Sequence, residues 1–135
     1  MWQTISYVST ANPNLTDTDV HNLFENIKLN NKKYNITGIL MYSGGNFFQV
    51  LEGEENKVRA LFNKIKKDYR HYDIIKIFDR EIVSKSFSNY QSSFTIVSDN
   101  YSHIDLQYFL KKEKTYNPDN FANISYLSHK FMKLS

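Results

Sequence analysis

The sequence has no cysteine among its 135 residues. Disulfides, thiol nucleophiles and thiolate metal sites are therefore outside its chemistry. It also lacks the run of about twenty apolar residues that a membrane-spanning helix needs, and its first residues do not follow the charged, apolar, small-residue order of a signal peptide. A soluble, cytoplasmic protein with no membrane partner is the expectation. The usual catalytic signatures are missing as well. His21, His71, His103 and His129 fall in separate segments, with neither HExxH nor paired spacing, which argues against a metal site. No GxSxG, P-loop or GxGxxG pattern occurs, and the turn Thr10-Ala11-Asn12-Pro13-Asn14 carries no arginine for the anion cradle of a small phosphatase. Together these absences point away from an enzyme.

What is present suffices for one compact domain with an appendage, since 41% of the residues are hydrophobic and the chain is long enough to bury a core. The net charge of +3 comes from scattered lysines with one cluster, Lys111-Lys112-Glu113-Lys114. Such a cluster is more often a solvated helix face than a site for acidic partners.

Hydrophobic periodicity divides the chain. Gln3 to Ser9 is β-branched and aromatic and runs into a Pro-Asn turn, predicting a first strand. Thr16 precedes Asp17 and Asp19, and Val20, Leu23, Phe24 and Ile27 recur at helical spacing, predicting a Thr16-capped helix to about Tyr34. Ile36 to Ser43 and Asn46 to Glu52 flank Gly44-Gly45, a pair suited to the left-handed backbone of a tight hairpin. Glu54 and Glu55 open a second helix with a Val58, Leu61, Phe62, Ile65 stripe, ending near Arg70. A fourth strand starts at Ile74 and runs, bent, to Val83, and a fifth covers Ser92 to Val97. The order β-α-β-β-α-β-β predicts an α+β, ferredoxin-like fold: one mixed sheet with two helices on one face. Two amphipathic segments beyond Asn100, the second striped by Phe121, Ile124, Leu127, Phe131 and Leu134, predict C-terminal helices that cover the bare face of the sheet or meet another subunit.

Two polar side chains sit where this pattern calls for burial. Gln49 shares a strand face with Phe47 and Leu51, and Tyr7 shares one with Ile5. An unsatisfied buried amide costs about 1–3 kcal/mol, so Gln49 needs partners. Pairing with backbone or with each other is the commoner role of such groups. Asn30-Asn31 closes the first helix, as asparagine often does, yet Asn31 leaves it on the side facing the sheet. Two helices and a strand there form a cleft for a planar heterocycle, with Leu23 and Ile65 as apolar jaws and amides reading its polar edge.

Tyr7 in ISYVS, Asn30-Asn31 before Ile36-Thr37-Gly38, Gln49 in FFQVLEG and Asp68-Tyr69-Arg70-His71 occur together in an order and spacing that resembles the BLUF family of flavin-based blue-light sensors. The resemblance covers about residues 1–97, leaving 98–135 as a C-terminal helical extension similar to that of short BLUF proteins. It implies FAD between the two helices, its ring flanked by Leu23 and Ile65. Asn31, helped by Asn30, would bond the carbonyl and imide edge. Lys64, where the family often has arginine, and Asp68 would contact the ring edge and ribityl-phosphate region, with Arg70 and His71 lining the same end. Lysine keeps the charge of arginine and loses its planar fork. Tyr7 and Gln49 would form the photoactive pair, Tyr7 supplying an electron and a proton and Gln49 rotating or tautomerising beside the flavin. The family commonly carries Trp-x-Met on its last strand, whereas this chain has Tyr90 and Ser92 at those positions as the implied signal relay. The implied output is light-dependent contact with a downstream protein, with no catalytic turnover, by a chain that self-associates.

Two other readings compete. RNA-recognition modules share the β-α-β-β-α-β order and stack bases on strand aromatics, here Phe47 and Phe48, although the basic start of their motif is missing and nucleic acid is disfavoured as a partner. A light-silent flavin-binding or oligomer-forming domain is the third.

Overall fold

A computed structural model describes residues 1–83 and 95–98, with helical positions at 110–111, 114–115, 122 and 125–126. Strand β1 (Trp2–Ala11) leads into helix α1 (Asp17–Lys33), whose start is a reciprocal cap. The Thr16 hydroxyl accepts from the Asp19 backbone N–H at 3.1 Å, and the Asp19 carboxylate accepts from the Thr16 N–H at 3.0 Å. The Thr16 backbone N–H, with the Thr16 side chain beside it, holds the Asp19 carboxyl below its ordinary range. At the other end Asn35 takes a left-handed conformation, φ 55°, and the Ile36 N–H reaches back to the Asn31 carbonyl at 2.8 Å. The chain is thereby turned straight into the sheet.

Strands β2 (Thr37–Ser43) and β3 (Asn46–Glu54) form the predicted hairpin, with Gly44 and Gly45 at φ 56° and 77°. Both central residues have positive φ, which matches the twist of the flanking strands. Helix α2 (Glu55–Lys66) stops four residues before the Arg70 expected from the apolar stripe. The cause is local: the Asp68 carboxylate accepts from the Arg70 backbone N–H at 2.9 Å, and this side-chain turn competes with further helix. Strand β4 (His71–Ile82) starts three residues earlier than Ile74, because His71 and Tyr72 already pair with Ala11 and Thr10. Its register slips twice against β1, which gives the expected bend. Strand β5 (Thr95–Ser98) pairs in parallel with β2.

The sheet order is β4-β1-β3-β2-β5, antiparallel except for the β2–β5 pair. This is the ferredoxin-like α+β arrangement, with α1 and α2 contributing to a single core. Ile5, Tyr7, Leu40, Phe47 and Leu51 from the sheet pack with Val20, Leu23 and Phe24 of α1 and Val58 and Phe62 of α2. The opposite face is also buried at Thr4, Ser6, Ile39, Met41, Phe48, Val50 and Glu52. Burial on both faces explains why the two hairpin strands are nearly continuous apolar runs with little alternation. The expected C-terminal helical pair falls almost wholly outside the described residues. Among the described residues, no helix is long and apolar enough to cross a membrane.

Candidate functional site

Between α1, α2 and the central strands lies a cavity of about 260 Å³. Every cofactor contact expected from the sequence is on its wall: Leu23, Asn30, Asn31, Gln49, Lys64, Ile65, Asp68, Arg70 and His71, joined by Tyr7. They arrive from separate elements because each element turns one edge toward the same cleft. α1 supplies Leu23, Asn30 and Asn31, spaced so that eight residues, just over two turns, separate the apolar jaw from the amide. α2 supplies Lys64 and Ile65, β1 and β3 supply Tyr7 and Gln49, and the loop after α2 supplies Asp68 and Arg70. Tyr90 and Ser92 lie outside the described residues.

Tyr7 and Gln49 are directly opposed in the β1–β3 register, and the Tyr7 hydroxyl donates to Gln49 Oε1. Each is almost fully buried, at 4% and 2% exposure. Burial pushes the Tyr7 phenol far above its ordinary value, and the nearby Asp68 carboxylate pushes the same way. The phenol therefore stays neutral at any pH the protein meets. Asp68 behaves differently. Partial burial works to raise its carboxyl, but the side-chain and backbone hydrogen bonds from Arg70 outweigh that and hold it below the usual range. Arg70 is turned fully onto this carboxylate, with contacts of 2.6, 3.0 and 3.1 Å.

His71 is similarly committed. Its Nε2 lies 2.6 Å from the Ile65 carbonyl and its Nδ1 lies 2.8 Å from the Ser9 hydroxyl. Asn31 is the opposite case: it is 2% exposed, it faces the cavity, and its amide nitrogen has no hydrogen-bond partner among the described residues. Leaving such a donor unpaired costs about 1–3 kcal/mol, so a ligand carbonyl in the cavity is the natural complement. Apolar side chains of Leu23 and Ile65 on one wall with the unpaired Asn31 nitrogen fit a planar heterocycle with a polar edge, and a flavin ring has that chemistry.

The sequence did not single out Asn26, Ile27, Leu40, Phe47 and Leu61 as part of this wall. A signal existed in the helices, because Asn26 and Ile27 lie one turn from Leu23 and Asn30, and Leu61 lies one turn before Ile65. Phe47 and Phe48 are 3% and 1% exposed. They offer no stacking platform for RNA bases.

A ferredoxin-like sheet whose helices enclose an amide-edged cleft makes an α+β domain with a cavity suited to a planar small molecule. Residues 2–93 match the family model described as BLUF, sensors of blue-light using FAD, and the chain belongs to that family. It is a blue-light sensor domain of a family that uses a flavin. Among curated relatives, the blue light- and temperature-regulated antirepressor BluF of Escherichia coli is 43% identical over 47 residues, 35% of this chain and 12% of that protein. The photoactivated adenylate cyclase subunit alpha of Euglena gracilis is 36% identical over 75 residues, 56% of this chain and 7% of that protein. Among solved structures, Klebsiella pneumoniae BlrP1 superposes with a TM-score of 0.76 at 27% identity, covering 93% of this chain and 33% of its own. Another structure of that protein is described with FMN and cyclic diGMP. The chain thus spans only about a tenth of the curated relatives and a third of the Klebsiella protein.

Proposed function

We propose that the chain binds FAD in this cleft and converts blue light into a rearranged hydrogen bond between Tyr7 and Gln49, read by a downstream protein or domain and without substrate turnover. The observation that carries the reading is the buried, neutral Tyr7 hydroxyl donating to Gln49 at the wall of a cavity that also holds the unpartnered amide of Asn31. Leu23 and Ile65 would flank the ring, Asn31 with Asn30 would bond its imide edge, and Lys64, with Asp68, would contact the ring edge and ribityl-phosphate region. When bound, the flavin supplies blue-light absorption and, once excited, an appetite for an electron. The rest is done by the chain. Tyr7 is the oxidisable side chain in the inner wall, and a phenol that loses electron density becomes a far stronger acid. Its proton then has a ready path along the existing bond to Gln49 Oε1. Gln49 carries a donor and an acceptor on one pivot, so rotation or tautomerisation exchanges what it presents to Tyr7 and to the cleft. Residues 1–97 form the sensor in this reading, with Tyr90 and Ser92 as its signal relay, and 98–135 an extension that contributes to self-association.

Absorption spectra recorded before, during and after blue illumination of the purified protein test it. A yellow protein with a small, reversible red shift is expected. Colourless protein from a flavin-replete host sinks the proposal, and bound flavin without a shift reduces the chain to a silent flavoprotein.

A further inference from the structure

We propose that His71 is a positioning residue that clamps the C-terminal turn of α2 to β1, setting the distance between the Ile65 jaw and Tyr7, with Ser9 as a reversible partner. The inference rests on the light-sensor reading above and reassigns His71 from a ligand contact to a wall fastener. Its warrant is the fate of the two ring nitrogens. The Ile65 carbonyl carries no hydrogen, so at 2.6 Å the His71 Nε2 must be the donor. The same carbonyl accepts from the Asp68 backbone N–H at 3.1 Å, so the imidazole is tied to the last bond of the helix. At Nδ1 the partner is the Ser9 hydroxyl, 2.8 Å away, on a residue only 3% exposed and two positions from Tyr7 on the same strand face. Neither nitrogen remains for a ligand. The imidazole instead stands between the elements that shape the cavity, its centroid 6.1 Å from the Tyr7 ring and 6.3 Å from Phe47.

Ser9 makes the clamp tolerant of a second proton. With a neutral ring the hydroxyl donates to Nδ1, and with an imidazolium it turns over and accepts. The fastening survives, but a hydroxyl dipole beside Tyr7 reverses. Among the described residues, the charged and titratable groups that share the cavity wall with His71 are Tyr7 from β1, Lys64 from α2, and Asp68 and Arg70 from the intervening loop.

Three measurements on the full chain test the clamp. Imidazole nitrogen NMR of the unilluminated protein, with and without flavin, should show a proton on Nε2 in both; a neutral ring protonated on Nδ1 alone overturns the proposal. Amide exchange at Asp68 should quicken roughly tenfold in His71→Phe, the effect of losing one hydrogen bond, without a matching rise along α1; unchanged exchange at Asp68 overturns it too. Ser9 is not on the cavity wall, so Ser9→Ala should retain flavin and its red shift. In Ser9→Ala the imidazole Nδ1 loses its hydroxyl partner, so its nitrogen signal should shift from that of the unaltered protein while Nε2 keeps its proton, whereas superimposable imidazole nitrogen spectra overturn the Ser9 role. An unaltered protein with no red shift defeats the sensor reading instead, and tautomer and amide exchange still decide the clamp.

Discussion

At the inner wall of the cleft, Tyr7 and Gln49 are 4% and 2% exposed and uncharged, whereas at its mouth Arg70 and Asp68 leave 29% and 25% of their side chains in solvent and carry a full charge each. The two ends also spend their polar atoms differently. The inner pair has one hydrogen bond across adjacent strands, in a setting where losing it leaves a desolvated group. The outer pair has several contacts between residues two apart, in a setting where water and salt can replace them. Dry, neutral surroundings suit a bond that must change partners once and be noticed. In the proposed function, charged, half-wet surroundings would suit the anchoring of a ribityl-phosphate chain, where a lost contact is mended by solvent.

If this contrast is right, disturbance at the inner wall has large consequences and disturbance at the mouth small ones. The largest is expected from Tyr7→Phe, which removes the donor to Gln49 Oε1: the light-induced red shift should vanish entirely while flavin stays bound, checked by difference spectroscopy. A retained shift breaks the inner half of the comparison. Next comes Asn31→Ala. The amide nitrogen has no partner to lose among the described residues, so the flavin-free protein should be barely altered while flavin affinity falls about 10–100-fold, measured by fluorescence titration.

The third prediction is a pH slope. The folded-state pKa of Tyr7 is raised above its unfolded value of 10.0, so its contribution is fully present below pH 10 and declines as pH rises beyond it. Denaturant unfolding of the unaltered protein should lose stability relative to Tyr7→Phe by up to about 1.4 kcal/mol per pH unit above pH 10. The smallest effect belongs to the mouth. Asp68 is depressed below 3.8, so its contribution is present above pH 3.8 and fades as pH falls through the folded value. Asp68→Asn should flatten acid unfolding only slightly, by less than about 1 kcal/mol, because the pair is partly solvated. An acid effect as large as the alkaline one would erase the contrast between the two ends.

How far the sequence could be followed differs in the same way. The Thr16 cap, the Gly44-Gly45 hairpin and the order of elements were legible because their causes lie within a few residues. The end of α2 was misplaced by four residues, since the apolar stripe says nothing of a turn made by the Asp68 side chain. The cleft residues were named largely through family likeness. Pattern alone gave a buried Gln49 and Tyr7 and left open whether they pair with backbone or with each other.

By itself the sequence determined where helices and strands form and which faces they bury, because capping, turn conformation and hydrophobic period act over one or two turns of chain. Only the tertiary structure decided which polar atoms are spent and which are left over. Tyr7 meets Gln49 across 42 positions and His71 meets Ser9 across 62. Competition for hydrogen bonds is settled by neighbours in space, and so the Asn31 amide nitrogen is left without a partner among the described residues while His71, on the same cavity wall, has both ring nitrogens engaged.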